Sequence, residues 1–401
     1  MSNSLAFPYF SLYVIALDGS ATEIGLIAAI GGAAGLILYP MGGFIADRRG
    51  RVRLVGLSTY MFALSFGFFA SAWSWEILGV GRFFQQLVLF YIPAMNAIMA
   101  DSLPPGKRGI GFATTLAIPG AISVIMPYIG GYLIDNVYGG DLIPAMQLCY
   151  MISLSLGLLV ATIRVKFLKE TYTGETLGYP MWNLPRLLKD SYSSTIETLK
   201  WLPKSLRMIA IIQILTVLFV SVANPFWIVY AKQVIGLTAL QWGELTLLAG
   251  GFRILISIPF GQLIDRYGPK KMLAVTAPLA PIATSLFPLC KGFIHVLGVL
   301  LLVEVFNTIV VPATSTLMAD YVPRERRGRV LSILGQGAIV GWNRRSMGAF
   351  LLFIPIAIGS LIGGYIYDFN VVYPWYILTV ALVISFFLIV KFIEEPKQRQ
   401  R

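Results

Sequence analysis

With 401 residues, 57% of them hydrophobic, only 12% charged, and a mean hydropathy of +0.76, the chain is too apolar for a soluble domain, in which about a quarter of the residues are charged. The net charge of +12 raises nucleic acid as a partner, and its placement excludes it. If the basic turn after Asp47 is cytoplasmic, threading the helices from there puts all but Arg82, Lys232, Arg253 and Lys291 of the 31 Lys and Arg in cytoplasmic loops or the tail, which is the positive-inside bias of an inner membrane protein. Cys149 and Cys290 occupy apolar helix positions and imply neither a disulfide framework nor a metal site. No cofactor is expected.

A bilayer core ~30 Å thick takes ~20 apolar residues per helix, and the sequence offers eleven such stretches plus a short one, without the alternation of a membrane barrel. The short one, residues 5–17, comes first. Its Pro8 and Tyr13 stand five apart, as do Pro225 and Tyr230, where the apolar run reaches back to about Leu206. The expectation is a first helix whose first half lies upstream of Met1; the alternative is a tilted re-entrant helix. Stretches at 22–46, 54–72, 76–100, 109–134 and 142–164 follow. The polar segment from Lys166 to Lys204 contains an amphipathic stretch, Leu184–Trp201, with Leu187, Leu188 and Ile196 towards lipid. Further stretches at 206–231, 239–264, 272–290, 293–319, 347–367 and 372–392 complete an all-α membrane fold of twelve helices. The expected division is a six-helix half (1–165), a cytoplasmic central loop (166–205) and a second six-helix half with a cytoplasmic tail (206–401), both termini being cytoplasmic.

The halves repeat one another. Gly43, Asp47, Arg48, Gly50 and Arg51 form a tight basic turn, which recurs in weaker form from Gly261 through Asp265 and Arg266 to Lys270, the two acids lying 218 residues apart. Pro93-Ala94, Met99-Ala100-Asp101, Pro104 and Arg108-Gly109 recur as Pro312-Ala313, Met318-Ala319-Asp320, Pro323 and Arg327-Gly328, offset by 219. Gly130-Gly131-Tyr132 with Asp135 recurs as Gly363-Gly364-Tyr365 with Asp368, offset by 233, so the extra residues fall around Gln336 to Ala349, as a short cytoplasmic elbow. Parallel repeats of this kind flank a central site in one class of transporter.

Over its whole length the chain resembles the major facilitator superfamily. The turn at Gly43, Asp47, Arg48, Gly50 and Arg51 is similar to that family's Gly-x-x-x-Asp-Arg-x-Gly-Arg signature. In the second half Pro269 displaces the basic position to Lys270. Arg82-Phe83-Phe84-Gln85 is similar to the Arg-x-x-Gln-Gly signature, with Gln86 in place of Gly, and Pro127-x-x-Gly130-Gly131 resembles the end of an antiporter element, with Met126 in place of its Gly. The resemblance implies a cavity lined by the first, fourth, seventh and tenth membrane helices. It also implies a cytoplasmic latch in which Asp47 faces a helix dipole and Arg51 reaches Asp101, with Asp265, Lys270 and Asp320 as counterparts. The bland reading is that the arginines only fix topology.

Three charges fall inside helices: Arg82, Arg253 and Glu304. Burying one costs ~3 kcal/mol or more, so a functional role is the default. At ~1.5 Å per residue Arg253 stands ~18 Å from the level of Asp265, Glu304 ~24 Å from that of Asp320, and Arg82 ~28 Å from that of Asp101. Polar neighbours at helical spacing extend them: Gln85, Gln86 and Asn96 beside Arg82, Asn307 beside Glu304, Thr246 and Ser257 beside Arg253, with Asn224 and Trp227 on the seventh membrane helix. Glu304 reads either as a proton-coupling carboxylate or as the fixed partner of Arg253. Arg82 reads as a pathway contact or as a snorkelling anchor. There is neither a phosphate loop nor a nucleophile or paired-carboxylate constellation, so no enzyme is expected. The functional expectation is a monomeric secondary transporter, exporting amphipathic small molecules against protons by alternating access. An importer of a polar metabolite or organic anion, and a non-transporting membrane sensor, are the alternatives.

Overall fold

The computed structural model describes residues 2–46, 51–102, 108–171, 184–322, 330, 333–335 and 349–393. Among these every regular element is a helix, and eleven helices are long and apolar enough to cross a membrane. In chain order they are α1 (Phe10–Ala16, after a 3-10 turn at Phe7–Tyr9), α2 (Ala21–Ala46), α3 (Val52–Ala70), α4 (Trp75–Leu87, a 3-10 turn Val88–Tyr91, then Ile92–Ser102), α5 (Arg108–Tyr132, closing in a π turn Leu133–Val137) and α6 (Leu142–Phe167). The amphipathic stretch forms α7 (Leu184–Trp201). Then come α8 (Lys204–Ala223, a 3-10 turn Asn224–Phe226, then Trp227–Gln233), α9 (Ala239–Tyr267), α10 (Pro269–Thr276 and Leu279–Leu286), α11 (Phe293–Tyr321), α12 (Phe353–Phe369) and α13 (Tyr373–Phe392). α1 is the single short member of the twelve membrane stretches. The elbow around Gln336 lies outside the described residues.

Proline places the breaks. Pro8 and Pro225 both sit in the 3-10 turns that open α1 and divide α8, because a ring without an N–H cannot continue the α-helical ladder. The two turns lead into matching aromatic cores. Tyr13 donates to Phe69 O at 3.1 Å, and the Phe69 ring lies 4.9 Å from that of Tyr150. In the second half Tyr230 donates to Pro288 O at 3.1 Å, and Phe287 lies 4.6 Å from Trp375. All of these aromatic side chains are almost fully buried.

Within the first six helices α3 packs on α6 and α4, and α2 on α4. Within the last six α9 and α10 pack on α11, and α8 on α13. The two sets meet along two seams, α2 against α12 and α5 against α9, and small residues let the backbones close there. A Cβ at Gly131 would stand 2.5 Å from Ala239 O, and one at Gly364 2.6 Å from Ala21 O. Lower down, Gly250 is filled by Val124 and Gly32 by Ala357. Each of these contacts in one seam is the repeat-related twin of its counterpart in the other. One face of the bundle carries Arg51, Lys166, Arg266 and Lys391 at helix ends, and is called the basic face below. The opposite face carries Ser20, Asp135, Thr238 and Asp368.

α7 lies along α2 on the basic side. Its Tyr192 donates to Leu36 O at 2.6 Å and packs edge-on against Phe350, 5.7 Å away. Ser191 and Thr198 are buried on that side and Ile196 is exposed on the other. Burial holds the Tyr192 phenol above its ordinary range, so it remains a donor at any physiological pH.

Candidate functional site

The basic turn is built around the first residue of its helix. Arg51 is the N-cap of α3, and its guanidinium forms an ion pair with Asp101 in the last turn of α4. Helix starts leave backbone N–H groups unpaired, and Glu170, beyond α6, takes two of them. Its Oε2 accepts from Arg51 N at 2.8 Å and from Val52 N at 3.0 Å, while Thr171 Oγ1 lies 3.2 Å from Arg51 Nη1. Sequence reasoning missed Glu170, since nothing local ties position 170 to position 51. Gly43 lies in the last turns of α2. Asp47, Arg48 and Gly50 lie outside the described residues, as does the side chain of Asp320.

In the second copy the counterpart of the Arg51–Asp101 pair, Lys270 with Asp320, lies outside the described residues through the Asp320 side chain. Asp265 and Arg266 are exposed at the end of α9, and among the described residues no ion pair joins Asp265 to Lys270. Pro269 opens α10, so Lys270 falls inside the helix, whereas Arg51 stands at the cap.

Inside the bundle the structure brings two of the three charges together. Arg253 Nη1 of α9 lies 3.5 Å from Glu304 Oε2 of α11, the side chains being 17% and 5% exposed. Asn307 and Thr308, one turn along α11, are buried with Glu304, and Thr246 is fully buried on α9. Ser257 is exposed. Arg82 stands apart from the pair. It is buried against its own half, with Nη1 donating to Gln85 Oε1 at 2.7 Å and its guanidinium 5.8 Å from the Phe7 ring centroid. Gly31 of α2 makes the room, since a Cβ there would stand 3.2 Å from both Arg82 Cγ and Gln86 Cγ. Among the described residues no carboxylate lies within ion-pair distance of Arg82.

Asn96 does not join Arg82, Gln85 and Gln86: they are buried and it is exposed. Asn224 and Trp227 border a cleft of about 400 Å³, part of it open solvent, between α1, α8 and α9, together with Phe7, Ser11 and Trp242. Asn224 Oδ1 and the indole nitrogens of Trp227 and Trp242 are buried without a hydrogen-bond partner among the described residues. Trp227 is chiefly a core residue, 4.3 Å from Phe287 and 4.7 Å from Trp375.

This architecture of paired seams around buried charges has known counterparts. The Major Facilitator Superfamily model matches residues 1–342 and again 209–401. The chain belongs to the major facilitator superfamily. Its relatives include the multidrug resistance protein MdtG of Rahnella sp. (strain Y9602), 26% identical over 353 residues, covering 82% of this chain and 78% of that one. The quinolone resistance protein NorA of Staphylococcus aureus (strain MRSA252) is 22% identical over 378 residues, covering 93% and 88%. Among solved structures, the nucleoside transporter NupG superposes with a TM-score of 0.66 at 13% identity, over 98% of this chain and 94% of that one. The human organic anion transporter MFSD10 gives 0.62 at 18% identity, over 95% and 90%. At these identities the structural likeness establishes the fold. As a superfamily member the chain is a multi-pass membrane transporter and not an enzyme.

Proposed function

We propose that this superfamily member exports amphipathic small molecules in exchange for protons, rocking one half against the other about a central site, with the basic face and both termini towards the cytoplasm. The observation that carries the reading is the Arg253–Glu304 pair: a carboxylate 5% exposed, inside a membrane helix, with a cation 3.5 Å away. Burial favours the neutral acid and the arginine favours the carboxylate. Any movement of α9 against α11 therefore changes the affinity of Glu304 for a proton, and coupling requires that dependence. The relatives named for multidrug and quinolone resistance support the efflux direction. The basic loops support the orientation. The Arg51–Asp101 pair supports a cytoplasmic latch around the basic turn.

A second reading rests on Arg82. A buried guanidinium that donates to an amide oxygen beside an aromatic ring, with no carboxylate within ion-pair distance among the described residues, suits an anionic substrate, and hence an importer or facilitator of organic anions.

Transport into inside-out vesicles separates the two. Efflux by antiport accumulates amphipathic cationic dyes when the lumen is acid and stops when the gradient is collapsed. Gradient-independent movement of organic anions, with no dye uptake, overturns it in favour of the second reading. Movement of neither class points to a sensor.

A further inference from the structure

The Gly-Gly-Tyr…Asp repeat is absorbed by none of the roles above, and the structure places both copies at one level. Asp135 lies in the π turn that closes α5 and Asp368 in the last turn of α12, both on the face opposite the basic one. Each carboxylate crosses to the other set of six helices. Asp135 Oδ2 accepts from Leu240 N at 2.6 Å, in the first turn of α9. Asp368 Oδ2 accepts from Thr22 N at 2.8 Å and from Thr22 Oγ1 at 2.6 Å, in the first turn of α2, and its Oδ1 accepts from Ala21 N at 3.2 Å. Leu240 and Thr22 are related by the same 218-residue offset as the two basic turns.

The rest of each joint is equivalent as well. The receiving helices start alike: Ser20 N donates to Glu23 Oε2 and Thr238 N to Gln241 Oε1, and each hydroxyl accepts from a first-turn N–H, Ser20 Oγ from Thr22 N and Thr238 Oγ1 from Gln241 N, the latter completing a capping box. Behind each aspartate the second glycine of the pair lets the backbones meet, Gly131 on Ala239 and Gly364 on Ala21. A helix start offers unpaired N–H groups and the positive end of the macrodipole, so a carboxylate is the favoured partner. Both aspartates bind across a seam that must part if the molecule is to open on this side.

We infer that Asp135 and Asp368 are positioning residues that form a pseudo-symmetric outer latch. Each half clamps the first turn of the other half's opening helix and holds the outward side shut while the basic side is open. The latch rests on the alternating-access reading above and adds to it the groups that stabilise one end state. It acts because the carboxylates meet N–H groups when closed and only water when open, a difference between states that shifts the equilibrium. A cap of this kind is worth about a fivefold change in the closed-to-open ratio for each joint.

The test is accessibility to a membrane-impermeant maleimide on right-side-out and inside-out vesicles. Two reporter proteins lack Cys149 and Cys290 and carry either Ser360→Cys, in the α2–α12 seam, or Val124→Cys, in the α5–α9 seam. A third protein keeps native Cys149, which is buried on α6, a helix that forms neither seam. Asp368→Asn is expected to raise outside labelling at position 360 about fivefold, Asp135→Asn to do the same at position 124, and the double variant to exceed either, with Cys149 unchanged. Rates within twofold of the parent overturn the latch. So does equal acceleration at Cys149, which would mean that the aspartates hold the fold rather than a state. Acceleration confined to inside-out vesicles keeps the latch and overturns the proposed orientation. No substrate is involved, so failure of the efflux reading leaves the result standing.

Discussion

Glu304 and Arg253 illustrate how far a single side chain can be argued. With the two groups 3.5 Å apart and buried, removing one leaves the other charge uncompensated, which costs ~3–5 kcal/mol in buried pairs generally. If the pair is structural, Glu304→Gln lowers the melting temperature in detergent by several degrees, and adding Arg253→Gln restores both stability and pH-driven transport. If Glu304 couples, the single variant still binds and exchanges substrate but no longer accumulates it, and the double variant does not recover. Undiminished accumulation by the single variant ends the coupling role. Gly31 offers a second residue-scale test. A methyl there meets Arg82 and Gln86 at 3.2 Å, whereas one at Gly67 meets nothing within 4 Å. Gly31→Ala is expected to cut transport severalfold at normal expression by displacing the guanidinium, with Gly67→Ala as the silent control. Equal activity of the two variants would remove Arg82 from the pathway.

At the scale of elements, the ends of helices carry the specific chemistry and their middles carry the packing. α3 begins with Arg51 held by Asp101 and with two N–H groups held by Glu170. Glu170→Ala is therefore expected to cost about 1 kcal/mol through the lost cap, visible as faster deuterium exchange in the first turn of α3. Unchanged exchange there refutes the cap. Among the described residues, Tyr192 ties α7 to α2 through its phenol. Tyr192→Phe removes the bond to Leu36 O, a net loss of about 1 kcal/mol. Exchange of the α7 amides should then rise about fivefold with little change in α8, and a rise spread evenly over both would show that α7 is held by its apolar face instead. Asn96 shows the limit of periodicity, because it is exposed although helical spacing sets it in the row of the buried Arg82, Gln85 and Gln86.

For the whole molecule, the distribution of Lys and Arg makes a prediction about the membrane. Trp73, 79% exposed between α3 and α4 on the face opposite Arg51, is expected to be labelled from outside intact cells as Trp73→Cys, in a background without other cysteines. Asp190→Cys on α7 should react only after the membrane is opened. The reverse pattern overturns the orientation. The seams join the first six membrane helices to the last six along two lines. The close contacts at Gly32 and Gly364 in α2–α12 have their twins at Gly250 and Gly131 in α5–α9, so the two seams are built alike, as the proposed rocking of one half against the other requires.

The number of spans, their order and the repeat were legible in the sequence because each depends on local properties. Twenty apolar residues must be helical in lipid whatever surrounds them, and a recurrence such as Gly130-Gly131-Tyr132 with Gly363-Gly364-Tyr365 needs no coordinates to be seen. The amphipathic helix at Leu184–Trp201 was legible for the same reason, and the nearness of Arg253 to Glu304 followed from depth once the two helices were assumed to touch. Arg51 with Asp101 was expected from the family resemblance; other contacts between distant segments were not legible. That Glu170 caps α3, that Arg82 turns to Phe7 and Gly31 rather than to Glu304, and that Pro269 leaves Asp265 and Lys270 apart all depend on where helix ends and rotations fall after packing. The repeat announced that Asp135 and Asp368 are equivalent; only the tertiary structure decided that each holds the other half's helix, because the direction of a carboxylate at a helix end is set by the neighbour that brings unpaired N–H groups within about 3 Å.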